Sequence, residues 1–171
     1  MAISFYDSNI TNFKKITIKP SMLLVDGLST DYSGRPVANI IDNDSNTLMY
    51  PLPSDTHIIN INFSNPTNVS GYSFLCGLTQ TDANPFHWEF SGSNIGGNNE
   101  IEWNIIDSFS YPLNNKNWGV IYQKTFNQRC YQYYRLKFLN CNSIGINYHG
   151  YISIEEFALY GLENIFYTYI V

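Results

Sequence analysis

The side chains that most often carry out catalysis are few in this sequence and follow no catalytic spacing. Its three histidines are His57, His87 and His149. None lies in an H-E-x-x-H metal motif, and no G-x-S-x-G nucleophile turn is present. The 14 acidic residues could form a carboxylate pair for hydrolysis, but any acidic chain offers such pairs. We therefore expect that the protein is not an enzyme.

One tryptophan differs from the others in its position. Trp88, Phe90 and Trp103 alternate with other residues as core-facing strand residues do, whereas Trp118 lies in the asparagine-rich loop segment NNKNWGV. A loop indole can stack on a sugar ring or be buried by a partner protein. The alternative is that Trp118 folds back over the end of its own domain.

Cysteine and charge content exclude several kinds of partner. Cys76, Cys130 and Cys141 cannot all pair with one another, and no C-x-x-C motif indicates zinc, so we expect reduced, mostly buried thiols. Nine basic against 14 acidic residues give a net charge of -5, without any basic run. Nucleic acids and anionic membranes need a positive surface, so neither is an expected partner.

Composition and targeting signals favour one packed domain. Apolar residues make up 44% of the chain, aromatic residues 16% and charged residues only 13%. This balance argues against disorder and against long exposed helices. No segment approaches the roughly 20 apolar residues of a membrane span. The N-terminal MAISFYDSNI lacks a signal-peptide pattern, so we expect a cytoplasmic or virion location.

Strand patterns recur along the chain, and no convincing helical periodicity appears. Alternating β-branched and aromatic residues between turn residues predict an antiparallel β-sandwich of about eight or nine strands. The predicted strands are Lys15–Ile18, His57–Phe63, Tyr72–Leu78, one around Trp88 and Phe90, one with Ile101, Trp103 and Ile105 in phase, Tyr122–Phe126, Tyr133–Phe138 and Tyr151–Tyr160.

Two details of the alternation locate individual side chains. In the strand Tyr133–Phe138, Arg135 alternates with apolar residues and is expected to face outward. In the last strand, the alternation of apolar residues changes phase at Glu155 and Glu156. Such a change predicts a β-bulge at these two residues.

Three segments stand in a distinctive order and spacing. They are ANIIDNDSNT before the strand His57–Phe63, PFHWEFSGSN followed by a turn and EWNIIDS, and YQYYRLKF followed by ISIEEFALYG. Together they resemble the A-x-x-x-D-G-D/N-x-x-T, W-x-x-x-G-S-N-D-G and Y-R-Y-x-R-L signatures of the discoidin domain, also called the coagulation-factor C-type domain. The resemblance covers roughly residues 37–161 and implies an all-β, galactose-binding-like jelly-roll sandwich.

The resemblance also implies a calcium site. In many members of this superfamily, the turn matching Asp42, Asp44 and Thr47 and the glutamate matching Glu156 hold a structural Ca²⁺. The ion takes about six to eight oxygen ligands, and the carboxylates would repel one another without a cation. The alternative is a turn closed by hydrogen bonds alone. In place of a signature glycine, the chain has Asn43, which also adopts left-handed geometry.

In sugar-binding relatives, loops at one end of the sandwich supply an aromatic platform and polar side chains for the hydroxyl groups. The matching loops here are 28–35, 79–87, 112–118 and 142–150. For any one of their residues, a plain surface role is the alternative. The candidate ligand-binding residues are Tyr32, Arg35, Asn84, His87, Trp118, Asn147 and His149.

Two functions remain open at this point. One is a non-catalytic binding module for a glycan or another surface ligand, and the other is a structural assembly protein of a virion, phage particle or other complex. We expect a single domain, 1–161, followed by an apolar tail, 162–171. A neighbouring subunit or the chain's own N-terminus must cover this tail. We favour the neighbour, which predicts a homo- or hetero-oligomer.

Overall fold

The computed structural model describes residues 13–25, 35–44, 46–49, 54–76, 85, 87–110, 121–139 and 152–162. These residues form seven strands and three short 3-10 helices. The strands are β1 (Phe13–Ile16), β2 (Leu23–Val25), β3 (His57–Cys76), β4 (His87–Ser93), β5 (Asn104–Ser110), β6 (Ile121–Phe138) and β7 (Ile154–Leu162). The 3-10 helices are Pro20–Met22, Val37–Ile41 and Glu100–Glu102.

All strand pairs are antiparallel, and two long strands run through both layers of the fold. The hydrogen-bonded order is β1-β7-β3-β6-β4-β5, with β2 added to β3. Residues 57–62 of β3 pair with 133–138 of β6, which in turn pairs with β4. Residues 71–75 of β3 pair with 121–125 of β6 and, on the other side, with β7. The sheet therefore folds over on itself into a β-sandwich. The first layer contains β4, β5 and residues 57–62 of β3, and the second layer contains β1, β7 and residues 71–75 of β3.

An aromatic core fills the space between the layers. Tyr72 lies 4.7 Å from Phe90 and Phe74 lies 4.9 Å from Trp88, measured between ring centroids. These contacts join the second half of β3 to β4, which share no backbone pairing. The alternation predicted from the sequence is confirmed, because the following residues are buried: Ile59, Ile61, Phe63, Tyr72, Phe74, Cys76, Tyr134, Leu136 and Phe138.

The described residues contain fewer strands than predicted because two pairs of predicted strands are continuous. His57–Phe63 and Tyr72–Leu78 merge into β3, and Tyr122–Phe126 and Tyr133–Phe138 merge into β6. The pairing register shifts between Asn62 and Thr67, where the two long strands bend. Pro66 follows the predicted strand His57–Phe63, yet it lies inside β3 at this bend. A residue without an N–H is tolerated where pairing is interrupted.

Several predicted boundaries and orientations were wrong. The first strand covers Phe13–Ile16 rather than Lys15–Ile18, and the last begins at Ile154 rather than Tyr151. Ile101 and Ile105 were expected to face the core with Trp103, but they are 92% and 61% exposed. The 3-10 helix at Glu100–Glu102 precedes β5 and breaks the strand alternation there.

Trp103 and Arg135 form a second packed cluster on the outer surface of the first layer. The Arg135 guanidinium carbon lies 3.9 Å from the centroid of Trp103. Arg135 faces outward as predicted but is 1% exposed, because the indole and the turn before β5 cover it. Trp103 is therefore buried against Arg135 rather than in the core between the layers.

Two of the three cysteines and the first residue of the predicted tail belong to the described part of the chain. Cys76 and Cys130 are free thiols, but Cys130 is exposed, contrary to our expectation of mostly buried cysteines. Cys141 lies outside the described residues. Residues 163–171 of the predicted tail also lie outside the described residues. Leu162 is the last residue of β7, and it pairs with Phe13 of β1. Among the described residues, no helix is long and apolar enough to span a bilayer.

Candidate functional site

The ends of several strands meet at one end of the sandwich, which we call the open end. In the first layer, His87 at the start of β4 is opposite Ser110 at the end of β5. The His87 carbonyl also accepts a hydrogen bond from the Leu139 N–H, just past β6, at 2.9 Å. In the second layer, Leu75 near the end of β3 is opposite Ile121 at the start of β6.

Aromatic rings hold these two sets of strand ends together. Trp88, next to His87, lies 4.9 Å from Phe74, 4.8 Å from Tyr122 and 4.8 Å from Phe109 between ring centroids. Phe74 and Tyr122 belong to the second layer, so both layers finish at the same place. The segments joining β3 to β4, β5 to β6 and β6 to β7 therefore all meet strand ends at the open end.

A chain of hydrogen bonds fixes the tryptophan under the open end. Trp88 Nε1 donates to the Tyr72 hydroxyl at 2.8 Å, and that hydroxyl donates to Asp107 Oδ2 at 2.6 Å. Burial raises the pKa of Tyr72 far above its ordinary value, and the Asp107 carboxylate raises it further. The phenol is therefore neutral at physiological pH and remains the donor to Asp107. These two hydrogen bonds connect the buried Trp88 to Asp107 below the open end.

Two of the seven predicted ligand-binding residues belong to the described part of the chain. His87 is half-buried at the open end, where its imidazole could exchange hydrogen bonds with ligand hydroxyl groups. Arg35 is half-buried immediately before Pro36 and the 3-10 helix Val37–Ile41. The other five predicted residues lie outside the described residues: Tyr32, Asn84, Trp118, Asn147 and His149.

The predicted acidic turn is closed by its own hydrogen bonds. Asp42 Oδ1 accepts from the Asp44 N–H at 2.9 Å, and Asp42 Oδ2 lies 2.7 Å from Thr47 Oγ1. Asp44 Oδ1 accepts from the backbone and side chain of Asn46, which lowers the pKa of Asp44. Asn43 has a φ of 61°, so the asparagine adopts left-handed geometry as we expected.

The predicted bulge directs Glu156 toward this turn. Leu75 is opposite Glu156 while the next residue, Cys76, is opposite Ile154, so Glu155 is the extra residue of a bulge. This confirms the change of phase predicted there. Burial raises the pKa of Glu156, Lys15 lowers it, and the charges of Asp42 and Asp44 raise it. Glu156 Oε1 is buried, and it accepts no hydrogen bond from the residues that the structure describes.

The arrangement of these residues bears on the expected calcium ion. Asp42, Asp44, Thr47 and Glu156 share one region, yet no three acidic, histidine or cysteine side chains in the described ranges lie close enough to share a metal ion. Both carboxylate oxygens of Asp42 already accept hydrogen bonds within the turn. The residues present therefore do not fit a three-carboxylate cage, and bound calcium stays a prediction.

The sequence did not predict that Lys15 lies at this turn. Lys15 Nζ donates to Asn43 Oδ1 at 2.6 Å, across 28 positions of sequence. The contact depends on the pairing of β1 with β7, in which Lys15 is opposite Tyr160. Nothing in the local sequence around Lys15 indicates this register.

Comparison with known proteins defines the class of fold. No protein-family model and no curated protein sequence matches the chain. Solved structures do match, and their architecture is the discoidin-like, galactose-binding-like β-sandwich expected from the sequence.

The particular neighbours are carbohydrate-binding modules of family 32. One is the family 32 module of Clostridium perfringens NanJ in complex with galactose, with 14% identity and a TM-score of 0.64, covering 86% of this chain and 98% of the module. The tandem family 32 domains of C. perfringens ZmpB in complex with GalNAc match at 16% identity and a TM-score of 0.67, covering 87% of this chain and 36% of theirs. A chitosan-binding module of a Paenibacillus sp. IK-5 chitosanase/glucanase matches at 19% identity and 0.62, covering 81% and 93%.

Proposed function

We propose that the protein is a non-catalytic glycan-binding module whose sugar site is the open end of the sandwich. The observation that carries this proposal is the convergence of the strand ends around His87, above the buried Trp88 floor. Three of the connecting segments that meet there carry Asn84, Trp118, Asn147 and His149 in the sequence.

The chemistry of these residues suits a sugar. Asparagine, histidine and hydroxyl groups exchange hydrogen bonds with sugar hydroxyls, and an indole covers the apolar face of a pyranose ring. The solved neighbours include complexes with galactose and GalNAc, which makes these two sugars the first ligands to test. The fold alone does not choose among sugars.

The proposal is tested by a glycan array followed by calorimetric titration with galactose and GalNAc. In a binding-competent protein, Trp118→Ala and His87→Ala each weaken affinity by about 1–3 kcal/mol, since each removes a stacking or hydrogen-bonding partner. The control is Ile101→Ala, which removes an exposed apolar side chain beside the turn at the opposite end of β4 and β5.

Two results contradict the proposal in different ways. An array without any hit at millimolar sugar excludes a glycan-binding function. Binding that survives both substitutions with unchanged affinity excludes the open end and leaves glycan binding elsewhere on the molecule. Circular dichroism of each variant verifies that the fold is retained.

A second candidate function is favoured by one feature of the surface. Ile95, Ile101 and Ile105 are 71%, 92% and 61% exposed, and they lie on the turn before β5 and on β5 itself. β5 is a terminal strand in the hydrogen-bonded order of the sheet. An edge strand flanked by exposed apolar residues is a site where another protein chain can pair or pack. Such a contact suits an assembly protein.

Native mass separates this candidate from the glycan-binding module. If β5 mediates assembly, the protein is an oligomer and Ile101→Glu with Ile105→Glu converts it to a monomer, because charge is not tolerated in a packed interface. A wild-type protein that is monomeric at tens of micromolar excludes self-assembly through this edge.

A further inference from the structure

A groove of about 480 Å³ lies on the outer surface of the second layer. In β3, Ser73 stands between the core residues Tyr72 and Phe74, so its side chain faces outward. Ser73 is opposite Ala158 of β7 on one side and Gln123 of β6 on the other. All three residues line the groove. The two small side chains, of Ser73 and Ala158, leave a depression beside the longer side chain of Gln123.

The groove begins at the open end of the sandwich. Leu75 and Ile121 are opposite each other where β3 ends and β6 begins, and both line the groove. Tyr160 also lines it and is opposite Gly71. Residues 71–75 of β3 span about 13 Å, at about 3.3 Å per residue. A ligand held at the open end can therefore continue along the second layer for the length of a short oligosaccharide.

The polar groups along the groove suit the hydroxyl groups of a sugar chain. Gln123 is half-buried and offers an amide donor and an amide acceptor. The Tyr160 hydroxyl lies 2.9 Å from Ser73 Oγ, so the half-buried phenol ring extends from β7 toward β3. Two hydroxyl groups that share one hydrogen bond keep one donor and further acceptor sites for a ligand. The tyrosine ring also offers an aromatic surface to a pyranose.

The charged residues beside the groove favour a neutral sugar chain over an acidic one. Lys15 and Asn43 line one wall, and Lys15 Nζ already donates to Asn43 Oδ1 at 2.6 Å. Asn43 stands between Asp42 and Asp44 in the sequence. Two carboxylates thus accompany the one ammonium group at this wall, and they would repel the carboxylate of an acidic sugar.

We infer that the ligand is a neutral oligosaccharide rather than a single sugar, with its terminal residue at the open end and the following residues in this groove. The inference rests on the proposed function of the open end and specifies the class of its ligand. Gln123 and the Tyr160 hydroxyl bind hydroxyl groups of the residues that follow the terminal sugar. The groove is thus an extension of the sugar site onto the face of the sheet.

The test is calorimetric titration with two matched pairs of probes. One pair is galactose and lacto-N-neotetraose, a neutral tetrasaccharide that ends in galactose, and the other is GalNAc and globotetraose, which ends in GalNAc. We expect the tetrasaccharide of a pair to bind about tenfold more tightly than its terminal sugar, the gain that about two additional hydrogen bonds provide. His87→Ala should weaken the binding of both members of the pair.

Variants of the groove should affect the tetrasaccharide alone. Gln123→Ala removes the amide, and Ala158→Gln places a longer side chain in the groove, so each should abolish most of the tenfold gain and leave monosaccharide binding unchanged. Gln128→Ala is the control, because it removes the same type of side chain from an exposed position of β6 outside the groove. Circular dichroism verifies the fold of each variant, and Gln123→Ala suffices if Ala158→Gln does not fold.

The failure of this inference differs from the failure of the proposed function. Tetrasaccharides that bind no more tightly than their terminal sugars overturn the groove and leave the open end as the sugar site. A tetrasaccharide gain that survives Gln123→Ala and Ala158→Gln also overturns the groove. If none of the four probes binds, both the groove and the proposed binding of galactose or GalNAc at the open end are contradicted.

Discussion

Replacing Arg135 tests how the turn before β5 is held on the first layer. Its guanidinium donates from Nε to Asn60 Oδ1 at 3.0 Å and from Nη2 to the Gly97 carbonyl at 2.8 Å. It also lies against Trp103 and pairs with Glu100 at 3.2 Å. Glu100 is 59% exposed and can turn to water, so the ion pair adds little to stability. The hydrogen bonds of the buried guanidinium and its stacking on the indole account for most of the expected effect.

Arg135→Ala should therefore be costly. It removes the hydrogen bonds that Arg135 donates to the Asn60 side chain and to the Gly97 carbonyl, which also accepts from Trp103 Nε1 at 3.0 Å, and it opens a cavity under Trp103. We expect a loss of about 2–4 kcal/mol, from the lost hydrogen bonds and from the cavity that a large buried side chain leaves behind. Arg135→Lys keeps the charge but not the planar fork of donors, and should lose about 1–3 kcal/mol.

Urea unfolding at equilibrium measures both changes, with an unchanged dependence on denaturant showing that the unfolded state is comparable. Lys137→Met is the matched control. Lys137 pairs with the same Glu100 oxygen at 3.1 Å, and its side chain is 19% exposed. Removing this ion pair should lower the free energy of unfolding by less than about 1 kcal/mol. A destabilisation by Arg135→Ala no larger than that of Lys137→Met would refute the reasoning. Near-ultraviolet circular dichroism reports separately on the packing of Trp103.

Other predictions concern the core and a close contact between strands. Tyr72→Phe removes the acceptor of Trp88 and the donor to Asp107, and should cost about 1–3 kcal/mol in urea unfolding. Because burial raises the pKa of Tyr72, the unfolded phenol ionises above about pH 10 while the folded one stays neutral, so stability should fall from there upward. Tyr72→Phe should reduce that slope, and an equal slope in both proteins would contradict the assignment. Gly92→Ala places a Cβ against the Tyr131 ring, where it clashes, and should cost about 1–3 kcal/mol in urea unfolding. Adding Tyr131→Ala removes the clashing ring, so the double variant should be no less stable than Tyr131→Ala alone, and a full additional loss from Gly92→Ala would contradict the clash.

The fold could be predicted from the sequence wherever apolar side chains alternate along a strand with a period of two residues. The alternation through Tyr134, Leu136 and Phe138 identifies the core face, because every second residue of a strand points the same way. The bulge at Glu155 was readable for the same reason, as a change in that period. The continuity of β3 through Pro66 was not, since a proline ends a strand or lies at a bend with the same local pattern.

In the candidate site, only contacts between residues close in sequence could be predicted. Asp42, Asp44 and Thr47 lie within six positions of one another, so their hydrogen bonds follow from turn chemistry. Lys15 and Arg135 make their decisive contacts across 28 and 38 positions, with Asn43 and Gly97 respectively. These contacts depend on which strands are neighbours and on their register, and neither is encoded near the lysine or the arginine. The burial of Arg135 beneath Trp103 was missed for this reason.

The strand order has a consequence for synthesis on the ribosome. β7 lies between β1 and β3, although it is the last strand of the described chain. β1 and the second half of β3 therefore emerge long before the strand that separates them. Until residues 154–162 leave the exit tunnel, both have an open hydrogen-bonding edge facing a gap. The second layer is thus completed only after β7 has been synthesised, and until then the two edges are exposed to mispairing.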